Sequence, residues 1–415
     1  MTSDSIPGRA YVWVWLPGCT DPVVAGALDP VGPLLSFTYG RSYLSRTDAV
    51  PLYLPELPLG RGIQQPPEGL EVGGCIRDGA PDAWGQRVIL RRLHSRSADD
   101  GDTADLPLLT YLLESGSDRA GALDFQSSAT EYQPRESSGT LEELLTAAER
   151  FQAGVTLPAA LAQALLHGTS IGGARPKATL RDGSRSFIAK FSSSTDTYPV
   201  VKAEAVAMDL ARRAGLRVAS AELRQVVGRD VLLVDRFDRT DVPGERRMFV
   251  SALTILGLPE MAGRYATYHD LADVIRSRFT DRAGTLRELF GRITFNICVG
   301  NTDDHARNHA AFCDGERLTL TPAYDICPQA RAGGEAAQAM AIGRDGFRLS
   351  QLAGCVDAAR EYELSTTEAR EIIEEQISVI RAHWNDASDA ARLTTAERRT
   401  LWGRQILNPF ALYDY

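Results

Sequence analysis

Gly300-Asn301-Thr302-Asp303-Asp304-His305-Ala306-Arg307-Asn308-His309 is the stretch on which the fold turns. Before it, Leu286, Leu289, Phe290, Ile293 and Ile297 keep the spacing of one face of a long helix, and Gly300 is the residue type that ends one. After it, His309 to Cys313 and Leu318 to Thr321 read as a hairpin turned at Asp314-Gly315. A polar loop between such apolar elements is costly to bury, so it points to function. Three readings are open from these residues alone. Asp303 and Asn308 have the five-residue separation of a base and a metal-binding Asn in a phosphoryl-transfer loop. Asp303, Asp304, His305 and His309 could instead form a metal-hydrolase cluster, or the loop could be structural.

Working outward, three further segments stand in the order in which a kinase uses them. Downstream, Asp325 in Leu320-Thr321-Pro322-Ala323-Tyr324-Asp325-Ile326 follows the hairpin, where a kinase carries the aspartate that holds Mg²⁺. Aspartate at a strand end is ordinarily a turn residue, so the joint order is what makes it specific. Upstream, Lys190 lies in the apolar strand Phe187 to Phe191, ahead of a helix that carries Glu204. A lysine in a half-buried strand needs an anion beside it or must snorkel to water. A strand lysine with a helix glutamate is a kinase's grip on the inner phosphates. Farther upstream, Ser170-Ile171-Gly172-Gly173-Ala174-Arg175-Pro176-Lys177 has small residues that let backbone N–H groups approach an anion, with Arg175 and Lys177 as added charge. The same pair of glycines also suits an ordinary turn.

The rest of the 415-residue chain reads as a frame for these segments. Short apolar runs broken by Gly and Pro between Tyr11 and Leu59 predict strands and turns, followed by a helix near Asp82 to Arg92. Polar stretches at Ser95 to Asp105 and Gln126 to Gly139 predict loops, the second a domain boundary. Thr140 with Glu143, and Ser365 with Glu368, are capping-box signatures. Pro158 and Gly168 bracket a helix, and Asp182-Gly183 turns a hairpin between Lys177–Arg181 and Ser186–Phe191. Ala203, Val206, Ala207, Leu210, Ala211 and Ala214 form an amphipathic helix, and strands near 221–227 and 230–234 share a turn at Gly228-Arg229. Apolar residues make up 44% and charged ones 24%, a globular balance that excludes collagen-like, disordered and membrane classes. The net charge of −9 gives no general help in binding nucleic acid. The six cysteines have no zinc or redox spacing, and Tyr11 to Leu16 is too short for a signal core, so a reduced, cytoplasmic protein is expected.

With these segments together, the chain resembles the HipA family of serine/threonine kinase toxins from bacterial type II toxin–antitoxin modules. Gly26-Ala27-Leu28, Phe37-Thr38-Tyr39-Gly40 and Asp78-Gly79-Ala80-Pro81-Asp82-Ala83-Trp84-Gly85 are similar to that family's N-terminal subdomain. Ser170 to Lys177, Asn301 to Asn308 and Pro322 to Ile326 are similar to its core motifs. The resemblance implies an α+β, two-lobed protein-kinase-like fold with a β-rich N-terminal subdomain (1–125), a kinase-like N-lobe (140–238), a helical C-lobe (239–390) and a C-terminal tail (391–415). It implies ATP and Mg²⁺ as cofactors and Asp303 as the catalytic base, with Lys190 and Glu204 beside it in the catalytic group. Asn308 and Asp325 would hold the metal. Gly172, Gly173, Ala174, Arg175, Pro176 and Lys177 would line the phosphates, and Asp235, Arg236 and Phe237 would meet adenine. His305, Ala306, Arg307 and Tyr324 would flank the nucleotide.

Ser170 matches a self-phosphorylated serine, where two negative charges beside the phosphate loop would switch the enzyme off. The resemblance also implies growth arrest through a translation component such as an aminoacyl-tRNA synthetase. The implied partner is a small helix-turn-helix antitoxin, HipB-like, through which operator DNA is met only indirectly; no membrane is involved. Thr302 stands where many kinases have the arginine that reads an activation-loop phosphate, and Ile326 follows Asp325, so activation by loop phosphorylation is not expected. Gln329 to Gly346 is expected to be a mobile cover. Two rival functions share these motifs: a small-molecule kinase, and an antitoxin-bound transcriptional co-repressor with weak catalysis.

Overall fold

Alternating apolar residues in the first forty positions make strands with one face inward. In a computed structural model of the chain, which describes residues 8–94, 106–135, 139–155, 157, 158, 161, 165, 175–193, 196–314, 317–331 and 333–415, these become β1 (Ala10–Val14), β2 (Val23–Val31) and β3 (Leu34–Tyr39). With β4 (Ile63–Gln64) and β5 (Leu123–Gln126) they form an antiparallel sheet in the order β4-β3-β2-β1-β5. Helices α1 (Ala83–His94) and α2 (Leu108–Glu114) lie between β4 and β5 in the chain. Ser170, Gly172, Gly173, Ala174 and Gly315, together with the 95–105 loop, lie outside the described residues, as does most of the helix expected between Pro158 and Gly168.

A second antiparallel sheet has the order β6-β7-β9-β8, built from β6 (Lys177–Asp182), β7 (Arg185–Phe191), β8 (Ala221–Val226) and β9 (Arg229–Asp235). The hairpin between β6 and β7 forms as the sequence predicts, but its turn sits one residue later than expected, on Gly183 (φ +63°) and Ser184, because Asp182 pairs with Arg185. The β8–β9 turn sits one residue earlier than expected, on Val227 (φ +48°) and Gly228 (φ +75°), the pair of positive φ angles by which a type I′ turn matches the twist of its strands. Side chains alternate across β9. Val231 and Leu233 pack with Trp84, Val88 and Ile89 of α1 and with Leu144 and Leu145 of α3 (Leu141–Gln152), whose Thr140–Glu143 capping box is present. Leu232 and Val234 face the opposite way, into the main core with Ala203, Val206, Ala207 and Leu210 of α4 (Val200–Arg213). The sheet is therefore covered on both faces, and one cover, α1, comes from the N-terminal region.

The remainder is mainly helical: α5 (Tyr268–Arg278), α6 (Arg282–Val299), α7 (Thr366–Ala390) and α8 (Thr395–Leu401), with a small sheet of β10 (Phe249–Ser251), β11 (Ala310–Phe312) and β12 (Thr319–Leu320). Residues 391–415, expected as a tail, are packed instead. A Thr394–Glu397 capping box starts α8, and Leu401, Ile406, Leu407 and Ala411 are buried. The Leu407 N–H donates to the Cys298 carbonyl at 2.7 Å, tying this segment to the end of α6. Gly300, at φ +70°, lies so close to it that a Cβ would stand 2.6 Å from the Gln405 carbonyl oxygen. Part of the 329–346 segment, expected as a mobile cover, is anchored to its surroundings. Gln329 N donates to Gly300 O, Ala339 N to Thr302 O and Tyr268 N to Ala341 O, while Met340, Ala341 and Ile342 are buried. Buried apolar side chains pin it from below despite its Ala- and Gly-rich composition. All six cysteines are free thiols, and no helix among the described residues is long and apolar enough to cross a membrane.

Candidate active site

Alternation along β7 buries Phe187, Ala189 and Phe191 on the α1 side and turns Lys190 to the other. There its Nζ donates to Glu204 Oε1 of α4 at 2.5 Å and to Asp325 Oδ1 at 2.5 Å. Burial works against the ammonium, but Asp325 and Glu204 overcome it and hold Lys190 firmly protonated. Asp325 is likewise opposed by its enclosure, yet Lys190 and Lys177 keep it ionised with a pKa of about 2. Glu204 goes the other way: burial raises it despite the lysine beside it. Asp325 also has a left-handed backbone, φ +58°, uncommon for a residue with a side chain and concentrated at sites where surrounding contacts hold it. Lys177 stands directly opposite Lys190 in the β6–β7 register.

The loop after α6 separates two adjacent aspartates. Asp304 turns inward and accepts from Tyr268 Oη at 2.6 Å, with His309 Nε2 at 2.9 Å. Burial disfavours its charge, but His309 and Tyr268 hold it below the usual carboxylate range. Asp303 turns outward and is exposed. Partial desolvation raises its pKa, and the charges of Asp325 and Asp304 add to that against the pull of His305. Asn308 Nδ2 donates to the Asp303 carbonyl at 3.2 Å, and Tyr324 Oη to the Arg307 carbonyl at 2.7 Å, which closes the loop on itself. Asp304 and His309 thus satisfy one another in the core, which removes two members of the metal-hydrolase alternative. Among the described residues no group of three or more His, Cys, Asp or Glu is placed to hold a metal ion by itself.

The remaining expected residues divide between the site and its frame. Phe237 packs on Tyr324 with ring centroids 5.5 Å apart, so the 235–237 segment does reach the Asp325 side of the cleft. Arg236 is a correction to the expected nucleotide contacts. Its side chain is 1% exposed and bonds to Asp118 at 2.8 Å and to Asp238 at 2.7 Å, because a guanidinium this deeply buried must be neutralised by its neighbours. The Asp235 carboxylate is taken by Arg185 at 2.7 Å. Arg175 bonds to Asp196, Pro176 accepts from Phe191 N, and Arg307 points away to Glu260 at 2.7 Å. Ala306 is buried and His305 half-buried, its Nδ1 without a hydrogen-bond partner among the described residues. The residue that motif reading missed is Asp82, whose Oδ2 lies 3.8 Å from Lys177 Nζ. Its signal is the stretch Asp78 to Gly85, which by sequence reads only as part of the N-terminal subdomain.

Two ammonium groups, Lys177 and Lys190, therefore meet three carboxylates, Asp82, Glu204 and Asp325, and Asp303 lies near enough to Asp325 to feel its charge. Buried oxygens of Asp82 and Asn301 have no hydrogen-bond partner among the described residues. An excess of acid with unsatisfied oxygens suits a divalent cation, and lysines beside it suit phosphate. The donor set therefore fits Mg-ATP.

Comparison with known proteins bears on the same region. The HipA-like C-terminal domain family matches residues 169–384. Over 150 residues the chain is 32% identical to the protein Y4mE of Sinorhizobium fredii, covering 34% of this chain and 33% of that one. Over 183 residues it is 25% identical to the serine/threonine-protein kinase toxin HipA of Shewanella oneidensis, covering 38% and 42% respectively. The aligned stretches thus span less than half the length of these relatives. A chain of the solved complex of Shewanella oneidensis HipA, HipB and operator DNA superposes with a TM-score of 0.68 at 17% identity, over 96% of this chain and 99% of that one. The likeness establishes the two-lobed, kinase-like α+β fold.

Proposed function

The chain belongs to the HipA-like C-terminal domain family, and from that premise we propose that it is an ATP- and Mg²⁺-dependent protein serine/threonine kinase. The observation that carries this reading is Lys190 held between Glu204 and Asp325 at 2.5 Å each, beside the loop that carries Asp303 and Asn308. Bound Mg-ATP supplies the phosphoryl group to be transferred and the divalent charge that screens it. Lys190 orients the inner phosphates, and Glu204 fixes that lysine from α4. Asn308 and Asp325 hold the metal, and Lys177 adds positive charge on the phosphate side. Asp303, exposed and with a raised pKa, accepts the proton from the acceptor hydroxyl Oγ. Phe237 and Tyr324 bound the cleft on the adenine side.

On this reading the chain divides at about 125–140, 238 and 390 into an N-terminal subdomain, two lobes and a packed C-terminal segment. It acts as the toxin of a toxin–antitoxin module and phosphorylates a translation component such as an aminoacyl-tRNA synthetase. A HipB-like helix-turn-helix antitoxin binds it and brings it to operator DNA. Ser170 is its self-phosphorylation site and off-switch. Intact-mass spectrometry of the full chain with Mg-ATP, followed by peptide mapping, tests the core of this. One phosphate gained on Ser170, absent in Asp303→Ala, is the expected result. No ATP binding, or a gain that survives Asp303→Ala, overturns the kinase assignment.

A further inference from the structure

Helix α4 carries Glu204 toward Lys190, and what grips its other side comes from the far end of the chain. Lys202 precedes Glu204 by two residues, about 200° around the helix, so its side chain leaves α4 away from Glu204. Its Nζ donates to the Arg392 carbonyl at 3.2 Å and to both carboxylate oxygens of Glu397 at 3.3 Å, and it lies 3.6 Å from Asp230 Oδ2 of β9. Arg392 follows α7 with a left-handed backbone, φ +53°, and its guanidinium returns to Asp230 at 3.1 Å. Glu397 is fixed in turn by the capping box of α8, where its Oε2 accepts from Thr394 N at 2.7 Å. Two cations and two carboxylates from α4, β9, α8 and the turn after α7 therefore meet at one point. Lys202 is only 14% exposed there, unlike the lysine of an isolated surface pair. At the opposite end of α4, Arg213 Nη1 donates to His383 Nδ1 of α7 at 3.2 Å.

Between these ends, Ala203, Ala207 and Ala211 are fully buried at i, i+4 and i+8. A ridge of methyl groups packs closely, but apolar contact is non-directional and does little to fix a helix along its own axis. The bonds of Lys202 supply that direction, and with it the reach of Glu204 to Lys190. Deepening the kinase reading, on which it rests, we propose that Lys202 is a positioning residue for the nucleotide site. Held by Arg392, Glu397 and Asp230, it keeps α4 where Glu204 meets Lys190. The chain thus assembles its phosphate-binding lysine pair with its own 392–397 segment, and needs no phosphate on an activation loop to do so.

Isothermal titration calorimetry of the full chain with Mg-ATP and with adenosine tests this in wild type, Lys202→Met, Glu397→Gln, Glu204→Gln and the Lys202→Met/Glu204→Gln double variant. A urea curve checks that each is folded. Glutamine serves in a capping box as glutamate does, so Glu397→Gln keeps the start of α8. Lys202→Met and Glu397→Gln are each expected to weaken Mg-ATP about five-fold and to leave adenosine unchanged. The two substitutions change the net charge in opposite directions, so a loss in both is positional, whereas a long-range field would give opposite signs. In the Glu204→Gln background, Lys202→Met adds no further loss. Unchanged Mg-ATP affinity in Lys202→Met or Glu397→Gln overturns the proposal. So does equal weakening of adenosine, or a loss that persists in full without Glu204. These results leave the kinase reading standing. Failure of the wild type to bind Mg-ATP at all defeats both.

Discussion

Two groups of charge, one built around Arg236 and Asp238 and the other around Lys190 and Asp325, hold acids that behave in opposite ways. In the first, Arg236 and Arg239 meet Asp118 and Asp238, Arg246 donates to the Ser117 carbonyl, and Arg119 with Arg135 meets Asp124. Burial opposes ionisation of all three acids, yet the arginines outweigh it: Asp118 and Asp238 fall below the usual range and Asp124 to about 2. In the second, Asp82, Glu204 and Asp303 are raised, and only Asp325 is lowered. Desolvation is the largest influence on each of these residues, so the difference lies in the cations. Forked guanidiniums neutralise the first group, while in the second the lysines, with Arg307 at longer range, do not outweigh burial at Asp82, Glu204 or Asp303. The first group joins the N-terminal region to the 235–239 segment; the second contains the residues proposed to act on Mg-ATP.

The contrast is sharpest in activity. Asp303→Ala is expected to lower phosphate transfer by roughly 10²–10⁴-fold and to leave the urea midpoint nearly unchanged, since the side chain is exposed; transfer of labelled phosphate and a denaturation curve measure the two. A loss of stability without loss of transfer would break the division. Arg236→Met is expected to do the reverse, costing about 3–5 kcal/mol in urea unfolding by leaving Asp118 and Asp238 buried with a missing partner. A cost below about 1 kcal/mol would mean that this network is incidental.

Acid titration should separate the groups with opposite signs. Asp118, Asp124, Asp238 and Asp304 have depressed values, so their contribution is full above the unfolded carboxylate pKa of about 4. It is lost as pH falls through the folded value, about 2 for Asp124. Asp82 is raised to about 6, chiefly by burial, so its ionisation removes stability as pH rises from about 4 to about 6. Asp82→Asn should therefore melt a few degrees higher than wild type at pH 8 and alike at pH 4, as followed by circular dichroism. The reverse order would place Asp82 with the structural acids. The smallest effect belongs to Arg185→Ala. Its exposed pair with Asp235 is a surface bridge, and no measurable change in melting temperature is expected.

Much of the candidate site is legible in the chain because its signals are local. Lys190 interrupts an apolar strand, Glu204 lies on the next amphipathic helix, and Asp303 and Asn308 share one polar loop that Gly300 opens. What was not legible depends on neighbours distant in sequence. Asp303 and Asp304 are identical in type and adjacent, and only Tyr268 and His309 decide which of them turns inward. Arg236 lies within a segment that reads as a nucleotide hinge, but Asp118, more than a hundred residues away, claims its side chain. The 391–415 segment looks polar enough for a tail until Cys298 and Gly300 supply its packing partners.

By itself, then, the sequence determined the order of strands and helices, the expected capping boxes and the presence of the hairpins, though not the exact residues of their turns, together with most of the candidate site residues. Each of these follows from periodicity and backbone preference within a few positions. Tertiary structure alone decided which carboxylates are neutralised and which are raised by burial. Burial and the distance to an opposite charge set a pKa, and both depend on residues brought together from opposite ends of the chain. Asp82 shows this most clearly: in sequence it is the cap of an N-terminal helix, and in the fold it faces the phosphate-side lysine.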